Sequence, residues 1–193
     1  MALILASASA IRRKMLEAAG VAHQVDPAKI DEAAWKPGSA GAADVALQLA
    51  GAKACDVSAR RPGDWVIGSD SVVTAAGRRF DKPSSREEAE SHLRQFSGGT
   101  IELSSAVALA RNGEVGWSHA DTARLQVRPL SDGFIAQYLE QEWPAVSHCV
   151  GVFRLEGPGV QLFESIEGDH FTILGMPLLP LLGALRERGQ LPS

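Results

Sequence analysis

Two short stretches combine residue types suited to handling phosphate. The first is Ser7-Ala-Ser9-Ala-Ile11-Arg12-Arg13, where an apolar run gives way to a helical pattern. The first N–H groups of a helix have no intrahelical partner and attract anions. Two arginines in the first turn oppose the positive end of the helix dipole, a local cost of the kind found at functional positions. Hydroxyls at 7 and 9, helix N–H groups and two guanidiniums suit a polyphosphate. An ordinary capped helix with solvated arginines fits the same spacing. The second stretch is Gly68-Ser69-Asp70-Ser71, an acid read at the end of an apolar strand. Such a carboxylate can hold Mg²⁺ or orient a water, and a turn aspartate is the other reading. Asp31-Glu32 in a loop, Lys53 on a helix and Lys82-Pro83 after a hairpin add charge nearby in type. Taken singly, each reads as surface charge.

Other chemistries lack their signatures. The chain has no P-loop, no G-x-G-x-x-G and no G-x-S-x-G elbow. It has no C-x-x-C and no H-E-x-x-H, so a zinc site has no support. Four tryptophans (Trp35, Trp65, Trp117, Trp143) and five histidines read as packing or surface groups. Lys and Arg number 19 and Asp and Glu 23, giving a net charge of −4, which disfavours a nucleic-acid polymer as partner.

These residues need a scaffold, and the chain supplies one of ordinary globular make-up: 193 residues, 45% apolar and 22% charged. No linker or repeat divides it, so residues 1–193 are expected to form a single domain. Ala2–Ala6 reads as a buried strand. Ser9 caps a helix from Ile11 to Ala19, with Met15, Leu16 and Ala19 on one face and Gly20 as its stop. Residues 21–25 read as a strand, 26–43 as a loop, and 44–58 as an Ala-rich helix. Trp65-Val-Ile67 is a strand running into the Asp70 stretch and on to Thr74, with a turn at Ala76-Gly77. Ser85-Arg-Glu-Glu88 has capping-box spacing for a helix to Phe96. Two strands, 101–110 and 114–128, meet at Asn112-Gly113, a hairpin signal. Ser131 or Asp132 opens a helix to Glu140, Val160–Phe163 reads as a strand, and 176–188 as the last helix. Helices alternating with strands around a hairpin indicate an α/β fold with a mixed, twisted sheet and flanking helices. The run Ile173–Leu185 is broken by Gly175, Pro177 and Pro180 and is too short to span a membrane. Two cysteines far apart, Cys55 and Cys149, and the absence of a basic n-region before the short N-terminal apolar run, lead us to expect a soluble, cytoplasmic protein.

In order and spacing, these segments resemble the Maf family of nucleotide pyrophosphatases, also called septum-formation-inhibitor-like proteins. The matching pieces are Leu3-Ile-Leu-Ala-Ser-Ala-Ser9 with Arg12-Arg13, Asp31-Glu32, Leu49-Ala-Gly-Ala-Lys53-Ala, Ile67-Gly-Ser-Asp70-Ser-Val-Val and Lys82-Pro83. Ser97-Gly98, Glu156-Gly157 and Ile166-Glu-Gly168, followed by Leu174-Gly-Met-Pro-Leu178, complete the set. The resemblance implies an elongated, two-lobed fold with a central cleft, similar to inosine triphosphate pyrophosphatases. It implies hydrolysis of a nucleoside triphosphate between the α and β phosphates with a divalent metal, Mg²⁺ or Mn²⁺, and a homodimer. It makes Asp70 the proton acceptor, with Lys53 and Lys82 as further catalytic residues. It has Ser7, Arg12, Arg13 and Glu156 bind substrate, and Glu32 with Asp70 hold the metal.

The family has a branch favouring dTTP and UTP and a branch favouring 7-methyl-GTP. Three positions track the difference, and here they are Ile11, Ser71 and Glu156. Glu156 sides with the 7-methyl-GTP branch. A carboxylate only accepts hydrogen bonds, guanine offers N1–H and N2–H side by side, and N7 methylation adds positive charge. The expected substrate is therefore 7-methyl-GTP or another modified nucleotide, the alternatives being dTTP or UTP. A regulator of cell division that binds nucleotide without turnover is the rival from outside enzymology.

Overall fold

Among the described residues, apolar runs, caps and turns build seven strands and six α-helices. The computed structural model describes residues 2–32 and 41–192. Trp35 and the rest of 33–40, within the expected 26–43 loop, lie outside them. In chain order the elements are β1 (Leu3–Leu5), α1 (Ala10–Ala18), β2 (Gln24–Val25), α2 (Ala42–Arg60), β3 (Trp65–Ala75), β4 (Arg78–Phe80) and α3 (Arg86–Phe96). They continue as β5 (Thr100–Arg111), β6 (Glu114–Val127), α4 (Asp132–Glu142), β7 (Phe163–Glu167), α5 (His170–Ile173) and α6 (Leu178–Glu187). The strands form one sheet in the order β2-β1-β3-β5-β6-β7, with β4 also paired to β3. β1 is parallel to β2 and β3, while β3–β4 and β6–β7 are antiparallel, so the sheet is mixed. This is the α/β class that the alternation implied.

The chain divides into two compact units: Met1–Ser71 with Ser104–Asp121 and Asp169–Ser193, and Val72–Leu103 with Thr122–Gly168. In the first, Leu3 and Leu5 of β1, Ile67 of β3 and Val107 and Leu109 of β5 form a core with Leu16 of α1 and Leu181 and Leu185 of α6. In the second, the rings of Phe80, His92 and Phe96 meet. There too the Tyr138 hydroxyl donates to the carbonyl of Val152 at 2.9 Å.

The local signals hold at most of the elements. Ser9, Ser85 and Ser131 cap α1, α3 and α4 through their side chains. Asn112 and Gly113 both take positive φ, as a two-residue hairpin turn requires. Four expectations change. Ala19 follows α1 and is exposed, and the third buried residue of that helix is Arg12. Of residues 21–25, only Gln24 and Val25 pair with a strand. Val160 lies in a 3₁₀ turn, Pro158–Leu162, because Gly157 and Pro158 set a helical start, and the strand begins at Phe163. Asp70 sits inside β3 rather than at its end, since the strand runs unbroken through Gly68-Ser-Asp-Ser71.

Candidate active site

Gly68 explains why β3 and α2 lie close. A Cβ there would stand 2.0 Å from the carbonyl oxygen of Ala50 and 2.7 Å from the amide nitrogen of Ala54. Strand backbone therefore rests directly on helix backbone, and Lys53 on α2 reaches Asp70 on β3. Lys53 Nζ donates to Asp70 Oδ1 at 2.6 Å and lies 2.7 Å from Glu32 Oε1. The Lys53 and Asp70 side chains are 11% and 12% exposed, and that of Glu32 is 43% exposed. Three separate segments thus place two carboxylates on one ammonium, close to the surface.

Arg12 projects from the first turn of α1 into the protein. Its Nε donates to the carbonyl of Gly175 at 2.9 Å, and its NH1 to the carbonyl of Ser69 at 2.8 Å and to Ser7 Oγ at 3.4 Å. Its NH2 donates to Ser71 Oγ at 3.1 Å. Burial pulls the guanidinium pKa down, opposed by the charges of Asp70 and Glu32, and an arginine keeps its proton regardless. Ser71 continues the network to Ser105 Oγ at 2.9 Å, and Ser105 donates to the carbonyl of Thr172 at 2.8 Å. Thr172 Oγ1 donates to Asp121 Oδ2 at 2.9 Å. Ser7 Oγ accepts from Arg12 and from the Ser9 amide at 3.2 Å, so what this hydroxyl still offers a ligand is its proton.

Ser7, Arg12, Glu32, Lys53, Asp70 and Ser71 all fall in the first unit. Ser69 and Gly175, present in the Gly68–Ser71 and Leu174–Leu178 stretches without a role of their own, join them, as do Ser105 and Thr172, which were not singled out from sequence. For Ser105 the legible trace is the polar pair Ser104-Ser105 set between the apolar residues Leu103 and Ala106. Arg13, the next residue on α1, turns outward with its side chain 51% exposed and only a 3.5 Å pair to Glu17. Ile11 is half-buried on the same helix.

Lys82 and Glu156 belong to the second unit, and both are exposed. There they act on one thiol: burial pushes Cys149 up to about 11, Glu156 adds to the rise, and Arg154 and Lys82 oppose it. Arg154 forms a two-point pair with Glu142, Nε to Oε2 at 2.7 Å and NH2 to Oε1 at 2.9 Å.

The donor set also bears on a metal. Among the described residues, no three His, Cys, Asp or Glu side chains gather as a cation cage. Glu32 and Asp70 nevertheless converge on one cation, the Lys53 ammonium. A pair of carboxylates completed by water and substrate oxygens is how Mg²⁺ is ordinarily held. The residues present fit a hard divalent ion that arrives with phosphate.

A family model described as Maf-like protein matches residues 2–188. The chain belongs to the Maf-like family. As a Maf-like protein it is 51% identical to a 7-methyl-GTP pyrophosphatase of Rhizobium etli, over 97% of this chain and 96% of that one. It is 50% identical to a 7-methyl-GTP pyrophosphatase of Rhizobium meliloti, over 99% and 98%. It is 47% identical to a nucleoside triphosphate pyrophosphatase of Granulibacter bethesdensis, over 97% of each. No helix among the described residues of this Maf-like chain is long and apolar enough to cross a membrane.

Proposed function

We propose that this chain hydrolyses nucleoside triphosphates between the α and β phosphates, releasing a monophosphate and pyrophosphate, with 7-methyl-GTP as preferred substrate. The observation that most supports catalysis is the convergence of Glu32 and Asp70 on Lys53 within a full-length Maf-like chain. Asp70 Oδ1 is committed to Lys53, so Oδ2 is the oxygen that accepts a proton from water. The water oxygen bonds to the α phosphorus, the bond from that phosphorus to the bridging oxygen breaks, and pyrophosphate leaves with the electron pair. Lys53, Lys82 and the outward Arg13 neutralise phosphate oxygens, and Ser7 with the α1 N-terminus donates to the phosphate tail. Glu32 and Asp70 would hold Mg²⁺ or Mn²⁺, which when bound neutralises further phosphate charge.

The base preference rests on Glu156. Its exposed carboxylate matches the paired N–H donors of guanine and opposes the carbonyls that flank N3–H in uracil and thymine. The names of the Rhizobium relatives point the same way.

Pyrophosphate release from 7-methyl-GTP, GTP, dTTP, UTP and CTP, with Mg²⁺ or Mn²⁺, tests both halves. Asp70→Asn should lose about 10²–10⁴-fold in kcat while still binding nucleotide. Glu156→Gln should lose about 10–100-fold in kcat/KM for 7-methyl-GTP and not for UTP. A wild-type preference for dTTP or UTP removes the Glu156 reading and leaves the hydrolysis. Nucleotide binding without any turnover leaves a regulator in place of an enzyme.

A further inference from the structure

We propose that Arg12 is the positioning residue for Asp70, clamping β3 on both sides of that carboxylate, and that it is not a phosphate ligand. The inference rests on Asp70 being the proton acceptor. Its grounds are geometric. Arg12 NH1 grips the carbonyl of Ser69, the residue before Asp70, and NH2 grips the hydroxyl of Ser71, the residue after it. Nε ties the same guanidinium to the carbonyl of Gly175, which also accepts from Ser69 Oγ at 3.1 Å and Ser71 Oγ at 3.2 Å. One planar cation thereby joins α1, β3 and the turn before α6.

Donor arithmetic argues against phosphate. A guanidinium has five N–H groups. Here Nε uses one, NH1 two and NH2 one, which makes four committed to protein acceptors. No edge retains two free N–H groups for a bidentate phosphate contact. The residue is buried, at 9% exposure, whereas Arg13 beside it is not.

The proton order in the serines follows. Ser105 has one hydroxyl proton and gives it to the Thr172 carbonyl at 2.8 Å. Ser71 must then donate in the 2.9 Å contact with Ser105, sharing that proton with the longer contact to Gly175. Ser71 in turn accepts from Arg12. The chain Arg12 to Ser71 to Ser105 to Thr172 runs one way from a permanent cation, an arrangement in which each bond strengthens the next. Ser71, one of the three positions tied to base choice by family resemblance, here belongs to the clamp on Asp70. Gly175 completes it: φ is +104°, and a Cβ there would stand 3.3 Å from Ser71 Oγ.

Arg12→Lys and Arg12→Ala separate the roles. A lysine keeps the charge and loses the planar fork. Under the clamp, kcat of Arg12→Lys falls about 100-fold, as a misplaced catalytic group would produce. KM, and the Kd of an α,β-methylene nucleotide analogue measured by calorimetry, stay within about threefold. A Kd weakened more than about tenfold in Arg12→Ala and restored in Arg12→Lys identifies a phosphate ligand and overturns the proposal.

Ser71→Ala and Ser105→Ala guard against a variant that does not fold. Each should lower kcat about 3–10-fold for every nucleotide alike, and the pair should be non-additive. A changed base preference in Ser71→Ala, or an unchanged kcat in both, overturns the clamp. A wild-type chain that releases no pyrophosphate sinks the functional reading, and the clamp is then judged on Lys53. Acetylation of Lys53 by acetic anhydride, read by peptide mass spectrometry, should rise at least about threefold in Arg12→Lys as a loosened Asp70 uncovers the amine. Unchanged labelling overturns it.

Discussion

Arg12 and Arg13 are neighbours in sequence and diverge at the side chain. Successive helical residues point about 100° apart, so one turns inward to Gly175 and Ser69 while the other faces water. Nothing in the sequence separates them, because the acceptors that claim Arg12 lie up to 163 residues along the chain. Residue types together with the family resemblance brought Glu32, Lys53 and Asp70 into consideration, and their meeting on one ammonium became visible once α2 and β3 were placed. Arg13→Ala removes a 51% exposed side chain whose 3.5 Å pair with Glu17 is a surface contact. Its unfolding free energy should change by less than about 0.5 kcal/mol, because exposed pairs add little. Its KM for nucleoside triphosphate should rise about tenfold through the lost phosphate contact. Urea titration and steady-state kinetics on the same sample check both, and an unchanged KM removes Arg13 from the substrate site.

The elements were legible where a local rule governs them. Caps need one side chain three residues from its target, and a hairpin needs two residues with positive φ, so α1, α3, α4 and the β5–β6 turn were readable. β7 was misplaced because Val160 looks strand-like, while Gly157-Pro158 imposes a 3₁₀ start. The four-residue α5 escaped notice because a single turn has no periodicity, although Asp169 caps it through two amides. Gly68 was legible as a glycine before an acid and not as a packing requirement. Its φ is not among the positive ones, so alanine meets no backbone barrier there and only the neighbouring atoms decide. A Cβ 2.0 Å from the Ala50 carbonyl forces α2 off β3, and no flexible side chain can yield in its place. Gly68→Ala should therefore cost at least about 3 kcal/mol. Whatever folded protein remains should be inactive, because Lys53 and Asp70 separate together with their backbones. A Gly68→Ala protein with wild-type stability would mean that the two backbones are not in contact.

Over the whole chain, the sequence offers no linker. The polypeptide passes between its two compact units at 71–72, 103–104, 121–122 and 168–169. Three of those passages fall inside β3, β5 and β6. Neither unit is a contiguous segment, and three backbones run unbroken from one into the other. Units that share strands in this way should unfold together. His92 offers a test because it belongs to the second unit alone. Its ring is 8% exposed against Phe80, and among the described residues its Nδ1 has no hydrogen-bond partner. Burial lowers its pKa below 6.5, outweighing the opposing charges of Glu88 and Asp81. The unfolded chain then takes up a proton that the folded chain refuses, so stability is intact above pH 6.5 and declines as pH falls below it. Urea midpoints read by hydrogen exchange should fall as the pH drops below 6.5 in peptides of β1 and α6 as much as in α3. His92→Leu should flatten that decline in both units at once. A slope confined to the α3 peptides would show that the units open separately, and that the shared strands do not enforce one transition.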